Sequence, residues 1–214
     1  RPPSSTLFPY TTLFRSLSIE TIETMARHPV FARHLHLCVQ HGSDRVLEAM
    51  NRRYTVGEYR NLVARLRSAI PGITLSTDIL VGFPGETEDD VVQTIDLMRE
   101  TRYAYAFMYY YNPREGTPAA RYADQIPAAE KKARLARIIA VQKQMTRELM
   151  LSMTGSEASA LVESVSKRNP REMLARTDQD MMAVFESTPD RIGTFVRLKL
   201  TGVKGNTFTA REVT

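Results

Sequence analysis

Residues 73–87 read Ile-Thr-Leu-Ser-Thr-Asp-Ile-Leu-Val-Gly-Phe-Pro-Gly-Glu-Thr. The first nine, Ile73–Val81, are β-branched and aliphatic enough for a buried strand. Gly82-Phe83-Pro84-Gly85 then breaks the run as a turn. Thr87 follows as a helix cap, with Glu88, Asp89 and Asp90 in the first turn, where the macrodipole favours acids. Val91, Val92, Ile95 and Met98 supply the expected apolar face of that helix. Strand, glycine-rich turn and capped helix together make one unit of an α/β fold.

The same unit recurs on both sides. Upstream, a short helix is predicted over Glu20–Arg27, ending before Pro29. Leu35–Gln40 reads as a strand, and Ser43 as the cap of a helix through Met50. Thr55 and Glu58 form a capping box for a helix with Tyr59, Leu62, Val63, Leu66 and Ile70 on one face. Downstream, Ala104–Tyr111 reads as a strand and Asn112–Ala119 as a loop. Alternating strands and helices imply right-handed crossovers and a parallel sheet. A partial β/α barrel and an open doubly wound sheet both fit. Pro127 then opens a long helix to about Met153, ended by Gly155. Its apolar face is Leu135, Ile138, Ile139, Gln142, Met145 and Leu149, with Lys131, Lys132, Arg134, Arg137, Lys143 and Arg147 on the others. Ala160–Val165, Met181–Phe185, Thr194–Leu200 and Thr207–Glu212 are short β-like runs, the signature of a small all-β barrel or sandwich. The expected boundary lies near residue 154.

The 214 residues are 43% hydrophobic and 25% charged, an ordinary globular composition. No apolar run approaches the roughly 20 residues of a membrane helix. The single cysteine, Cys38, excludes a disulfide framework and points to a reducing, cytoplasmic setting. It also excludes a cluster or zinc site built mainly from cysteines; no metal ligand is expected. Phe8–Ser16, FPYTTLFRS, back-translates into a common sequencing-library adapter. Residues 1–16 are therefore expected to be an artefact, and the natural protein to continue upstream. The formal charge is +5. Residues 17–120 hold 11 basic and 13 acidic residues, residues 121–150 hold 7 and 3, and residues 151–214 hold 9 and 8. The basic excess thus sits on the long helix, as an RNA-facing stripe or a solvated face.

Three strands end in distinctive loops: Gln40-His41-Gly42-Ser43, Gly82–Glu86 and Asn112–Thr117. In a parallel array these loops share the face where ligands bind. Glycines let backbone approach a ligand, and the helix starts at Ser43 and Thr87 offer free amides to an anion. The alternative is three tight turns.

The segments His34–Thr55 (HLHLCVQHGSDRVLEAMNRRYT), Ser76–Thr87 (STDILVGFPGET) and Phe107–Ala119 (FMYYYNPREGTPA) closely resemble radical-SAM methylthiotransferases. Residues beyond 154 resemble a TRAM domain, the small RNA-holding barrel of that family, with Ser166-Lys167-Arg168 and Ala175-Arg176-Thr177 as looser matches. The resemblance implies the later βα units of a radical-SAM, TIM-like barrel followed by TRAM. It implies S-adenosylmethionine and two [4Fe–4S] clusters as cofactors, and tRNA and a reductant protein as partners of a cytoplasmic monomer. The implied reaction adds a methylthio group to C2 of N6-isopentenyl-adenosine beside the anticodon. Related branches act on threonylcarbamoyl-adenosine or a ribosomal protein, and a non-catalytic RNA-binding fragment is the reading of another class.

By the same resemblance, Gln40, Ser43, Asp78, Gly82, Pro84, Gly85, Tyr111, Pro113 and Arg114 are candidates for the cofactor site. Arg52, Arg53, Lys167, Arg168 and Arg176 are candidates for RNA. No catalytic residue is assigned. Two positions depart from the family: Cys38 replaces a usual proline and His41 a usual serine. Cys38 is expected to be a buried inert thiol and His41 a solvated loop histidine. The cysteine motifs of both clusters are absent.

Overall fold

The structure, a computed structural model, describes residues 17–213; the adapter reading of residues 1–16 lies outside them. β1 (His34–His36), β2 (Thr74–Val81) and β3 (Tyr105–Tyr110) form a parallel sheet in that order. His36 pairs with Ser76, Ser76 with Tyr105, and Asp78 with Phe107. The helices are α1 (Ile19–Arg27), α2 (Asp44–Ala49), α3 (Val56–Ala69), α4 (Glu88–Thr101) and α5 (Ala128–Met153).

Leu75, Ile79 and Val81 alternate onto one face of β2 and pack in a core with Tyr59, Leu66, Val91, Ile95, Met98 and Ile138 of the helices. The other face carries Ser76 and Asp78 beside Tyr105, Phe107 and Tyr109, and the last two are 50% and 54% exposed. A doubly wound sheet has helices on both faces. Among the described residues the helices cover one face only, the arrangement of an arc of a β/α barrel rather than of a doubly wound sheet.

β1 is shorter than the expected Leu35–Gln40. Thr77 Oγ1 takes the Val39 amide at 2.9 Å, and Gln40 turns to φ +66°, rejoining the sheet by one bridge to Ile79. Both capping boxes form, Thr55 with Glu58 and Thr87 with Asp90. Ser43 precedes α2, but its hydroxyl makes no cap bond. Val92, expected in the core, is 42% exposed; Thr94 and Leu97 are buried instead. On α5, Lys131 and Arg134 are buried, against the expectation of outward cations.

α5 leads into a closed barrel of β4 (Glu157–Val165), β5 (Glu172–Thr177), β6 (Met182–Glu186), β7 (Phe195–Lys204) and β8 (Thr207–Glu212), in order β4-β5-β6-β8-β7. β5 was not expected as a strand. Its sequence EMLART is short and charged, and it buries only Met173, Ala175 and Thr177. Val162, Phe185, Leu198, Leu200 and Phe208 fill the interior, and Met150 of α5 joins them. The β5–β6 turn meets the amino ends of the sheet. There Thr74 Oγ1 donates to Gln179 O at 2.8 Å, and the Tyr105 hydroxyl donates to Asp180.

Candidate functional site

The loops at the carboxyl ends of the sheet are fixed by one buried carboxylate. Glu86 accepts from the Gly82 amide at 2.8 Å, from Arg134 Nη1 at 2.8 Å and from His41 Nε2 at 3.1 Å. Burial alone would raise this carboxyl, but the bonds from His41, Gly82 and Arg134 outweigh it and hold the carboxyl below its usual range. His41 is fully buried, also touching Thr94, so it is not a solvated loop histidine. Asp90 braces the same end from α4. Burial opposes its charge, but bonds from Ser43, the Thr87 amide and hydroxyl, and Arg45 lower its pKa to about 2.

The open face of the sheet is polar and aromatic. Cys38 Sγ donates to Asp78 Oδ2 at 3.2 Å and lies 3.1 Å from His36 Nε2. Ser76 Oγ lies 2.9 Å from both His36 Nδ1 and His34 Nε2. His34 stacks on Tyr105, and His36 meets Phe107 edge-on. Cys38 is half-buried on this face rather than in the core. Burial first, then the hydrogen bond and charge of Asp78, push its thiol up to about 12.

The predicted site residues divide among several places. Asp78 points to the open face. Ser43 is buried, and its hydroxyl is given to Asp90 at 2.6 Å. Gln40 is buried beyond the end of β1, in the left-handed region. Gly82 and Gly85 have φ +73° and +76°, and a Cβ on Gly82 would come within 2.6 Å of Lys131 Cγ. These two glycines thus make room for the chain's own atoms. Tyr111 packs on Phe83 with centroids 5.1 Å apart and beneath Lys131 Nζ, and its hydroxyl is buried without a partner. Pro84 is buried, while Pro113 and Arg114 are exposed on the following loop. Arg52 Nε is buried and unpaired beside α2; Arg53 is exposed. Lys167 and Arg168 stand exposed on the β4–β5 turn. Arg176 is held by Glu163 at 2.6 Å and Asp180 at 2.9 Å. Sequence reading missed Glu86 and Arg134, and the open-face set His34, His36, Ser76, Tyr105 and Phe107. Period-two counting from Asp78 would have found Ser76, and strand register the others.

An arc of parallel barrel with a ligand-type face, joined to a five-stranded barrel, makes an α/β module with an appended small β-barrel. Matches to family models name the two parts: Radical SAM superfamily over residues 6–98 and TRAM domain over 151–213, the first beginning inside the segment set aside above. The chain is 46% identical over 201 residues to tRNA-2-methylthio-N(6)-dimethylallyladenosine synthase of Treponema pallidum, covering 93% of this chain and 44% of that protein. The same-named proteins of Treponema denticola and Carboxydothermus hydrogenoformans are 46% and 43% identical, over 92% and 87% of this chain and 44% and 42% of theirs. Coproporphyrinogen III oxidase from Escherichia coli, described as a radical SAM enzyme, superposes with TM-score 0.52 at 18% identity, covering 62% of this chain and 31% of that one. That likeness supports the fold alone. The chain belongs to the radical-SAM methylthiotransferase family and spans under half the length of the curated relatives it matches.

Proposed function

We propose that this chain is the later part of a tRNA methylthiotransferase that modifies C2 of N6-isopentenyl-adenosine beside the anticodon. The observation that carries this is 46% identity along 93% of the chain to synthases named for that product. Residues 17–154 then serve as the later radical-SAM units and residues 155–214 as the RNA-binding TRAM domain, residues 1–16 being foreign. The whole protein acts as a cytoplasmic monomer with tRNA and a reductant protein as partners.

The family's two [4Fe–4S] clusters each need several cysteine thiolates. One cysteine does not fit either, so their ligands are not in this chain and no step is assigned through them. S-adenosylmethionine, when bound, supplies radical and methyl chemistry. Its fit here rests on the buried, unpaired Tyr111 hydroxyl, a polar atom that a ligand at the carboxyl ends would satisfy. The Gly82–Gly85 turn, held from behind by Glu86, Gln40 beside it, and Pro113 and Arg114 beyond would flank it. Ser43 contributes by bracing α4 through Asp90. On the open face, Asp78 orients polar groups and Phe107 and Tyr109 offer stacking surface to a base. Arg52 and Arg53 reach toward phosphate from the α2–α3 connection. Lys167 and Arg168 take RNA phosphates, while Arg176, tied to Glu163 and Asp180, orders the turn between them and the sheet.

For the chain alone, the reading is RNA binding without catalysis, since the cluster cysteines are missing. Fluorescence anisotropy with an anticodon stem-loop carrying N6-isopentenyl-adenosine tests this. Binding should weaken in K167E/R168E, and the slope of log affinity against log salt should fall by roughly 1.4 for two single-strand phosphate contacts. Tighter binding to a threonylcarbamoyl-adenosine stem-loop would transfer the chain to the sister branch. Equal binding to unrelated RNA would remove the tRNA assignment.

A further inference from the structure

His36, Cys38 and Asp78 bring three different ligand atoms to one point on the open face. Nε2 of His36 lies 3.1 Å from Cys38 Sγ, and Sγ lies 3.2 Å from Asp78 Oδ2. Nε2 lies 3.6 Å from Asp78 Oδ1. A tetrahedral zinc ion holds nitrogen, sulfur and oxygen at about 2.0–2.3 Å, so its ligand atoms sit roughly 3.3–3.6 Å apart. Taking one ligand atom from each residue, the three lie within 4.8 Å of one another, so modest side-chain rotations bring them onto the edges of such a site.

The hydrogen-bond pattern points the same way. His36 Nδ1 faces Ser76 Oγ at 2.9 Å. Ser76 in turn faces His34 Nε2, and His34 Nδ1 faces Thr74 Oγ1 at 2.9 Å. In the tautomer with a proton on each Nδ1 the whole chain is paired, and His36 Nε2 is then a lone pair facing Cys38. Metal-bound histidines are commonly oriented in this way through their other nitrogen. Two acceptors, Nε2 and the Asp78 carboxylate, therefore converge on the single thiol proton of Cys38, which can serve only one of them. Cation is what the cluster lacks. The side chains of His36 and Asp78 are 38% and 25% exposed, so an ion could enter and keep a fourth position for water or another ligand. Arg52 is the basic group whose charge reaches Cys38, and a thiolate with a carboxylate outweighs it against a divalent ion.

We propose that His36 Nε2, Cys38 Sγ and Asp78 form a three-ligand site for a zinc-class divalent cation, separate from any iron–sulfur cluster. On binding, the Cys38 S–H bond breaks, its proton leaves to solvent, and a sulfur–metal bond forms without change of oxidation state. The mixed nitrogen, sulfur and oxygen set with one open position is the donor chemistry of zinc rather than of calcium or magnesium. The site depends on Cys38, which stands where the family usually has proline, so it is a property of this chain.

Cobalt(II) titration of the chelator-treated chain tests it. The expected result is one equivalent bound, with a near-ultraviolet thiolate-to-cobalt band and intense visible bands of a tetrahedral ion, all displaced by zinc. C38S should remove the charge-transfer band, and S76A should weaken binding about 10–100-fold through loss of the histidine's support. Alkylation of Cys38 followed by mass spectrometry gives a second readout on the unaltered chain, and zinc should protect the thiol. Absence of the thiolate band together with unprotected Cys38 overturns the site. Binding that survives C38S unchanged also overturns it, because the ion is then held elsewhere.

Discussion

Glu86 and Asp90 show how two side chains at one helix start divide the work. Glu86 is fully buried and faces Arg134 and His41. Removing one member of a buried ion pair leaves an unbalanced charge, which costs roughly 3–5 kcal/mol. Glu86→Gln keeps the shape but drops the charge, so urea unfolding of E86Q should show a loss of that order. A loss below about 1 kcal/mol would mean that water compensates the cluster. Asp90 supplies the pH dependence. Its folded pKa of about 2 lies below the ordinary 3.8, so its contribution is present above 3.8 and is lost as pH falls through 2. That shift corresponds to about 2 kcal/mol. Unfolding curves between those pH values should lose this amount in the native chain and much less in Asp90→Asn.

At the scale of elements, legibility followed local signals. The capping boxes at Thr55 and Thr87, the β2 run and the positive-φ turn at Gly82 are written in neighbouring residues, and all of them form. What failed depended on distant partners. Ser43 looks like a cap, yet its hydroxyl serves Asp90, 47 residues away. Lys131 and Arg134 look like solvent-facing cations, yet they sit on the stripe that continues through Ile138, Gln142 and Met145, because Tyr111 and Glu86 receive them. A helical wheel drawn from hydropathy cannot see those acceptors. Resemblance singled out Asp78, but its partners His36 and Cys38 needed the register of β1 on β2. Gly42 is a further element-scale case. A Cβ there would run into the Thr94 backbone of α4, and backbone cannot rotate away as a side chain can. Gly42→Ala should therefore displace α4 and cost about 1–3 kcal/mol, as overpacking does. Gly116→Ala is the contrast: a Cβ there meets nothing within 4 Å, and only its φ of +82° opposes the change. Thermal melts of the two variants should rank G42A as the less stable.

At the scale of the whole molecule, the β5–β6 turn joins the barrel of β4–β8 to the parallel sheet, beside the packing of Met150 of α5 in that barrel's core. Asp178, Gln179 and Asp180 lie against the amino ends of β1, β2 and β3, the end opposite the loops that carry the cofactor candidates. Asp180 accepts from both Tyr105 and Arg176, and these bonds hold its carboxyl below the usual range although burial opposes them. The contact thus links an aromatic of the open face to a basic residue of the RNA-type barrel. If it sets the relation between the two units, Tyr105→Phe and Asp180→Asn should not be additive. A double-mutant cycle on unfolding free energy should return a coupling of about 0.5–3 kcal/mol, the range for residues in direct contact. The cycle cancels the separate loss that Asp180→Asn causes at Arg176, because that loss appears in both arms. Hydrogen exchange distinguishes a stiffening contact from a passive one. In the first case amides of β1 and of the β5–β6 turn lose protection together in D180N; in the second only the turn does. Coupling near zero with exchange confined to the turn would leave α5 and Met150 as the connection that orients the TRAM barrel.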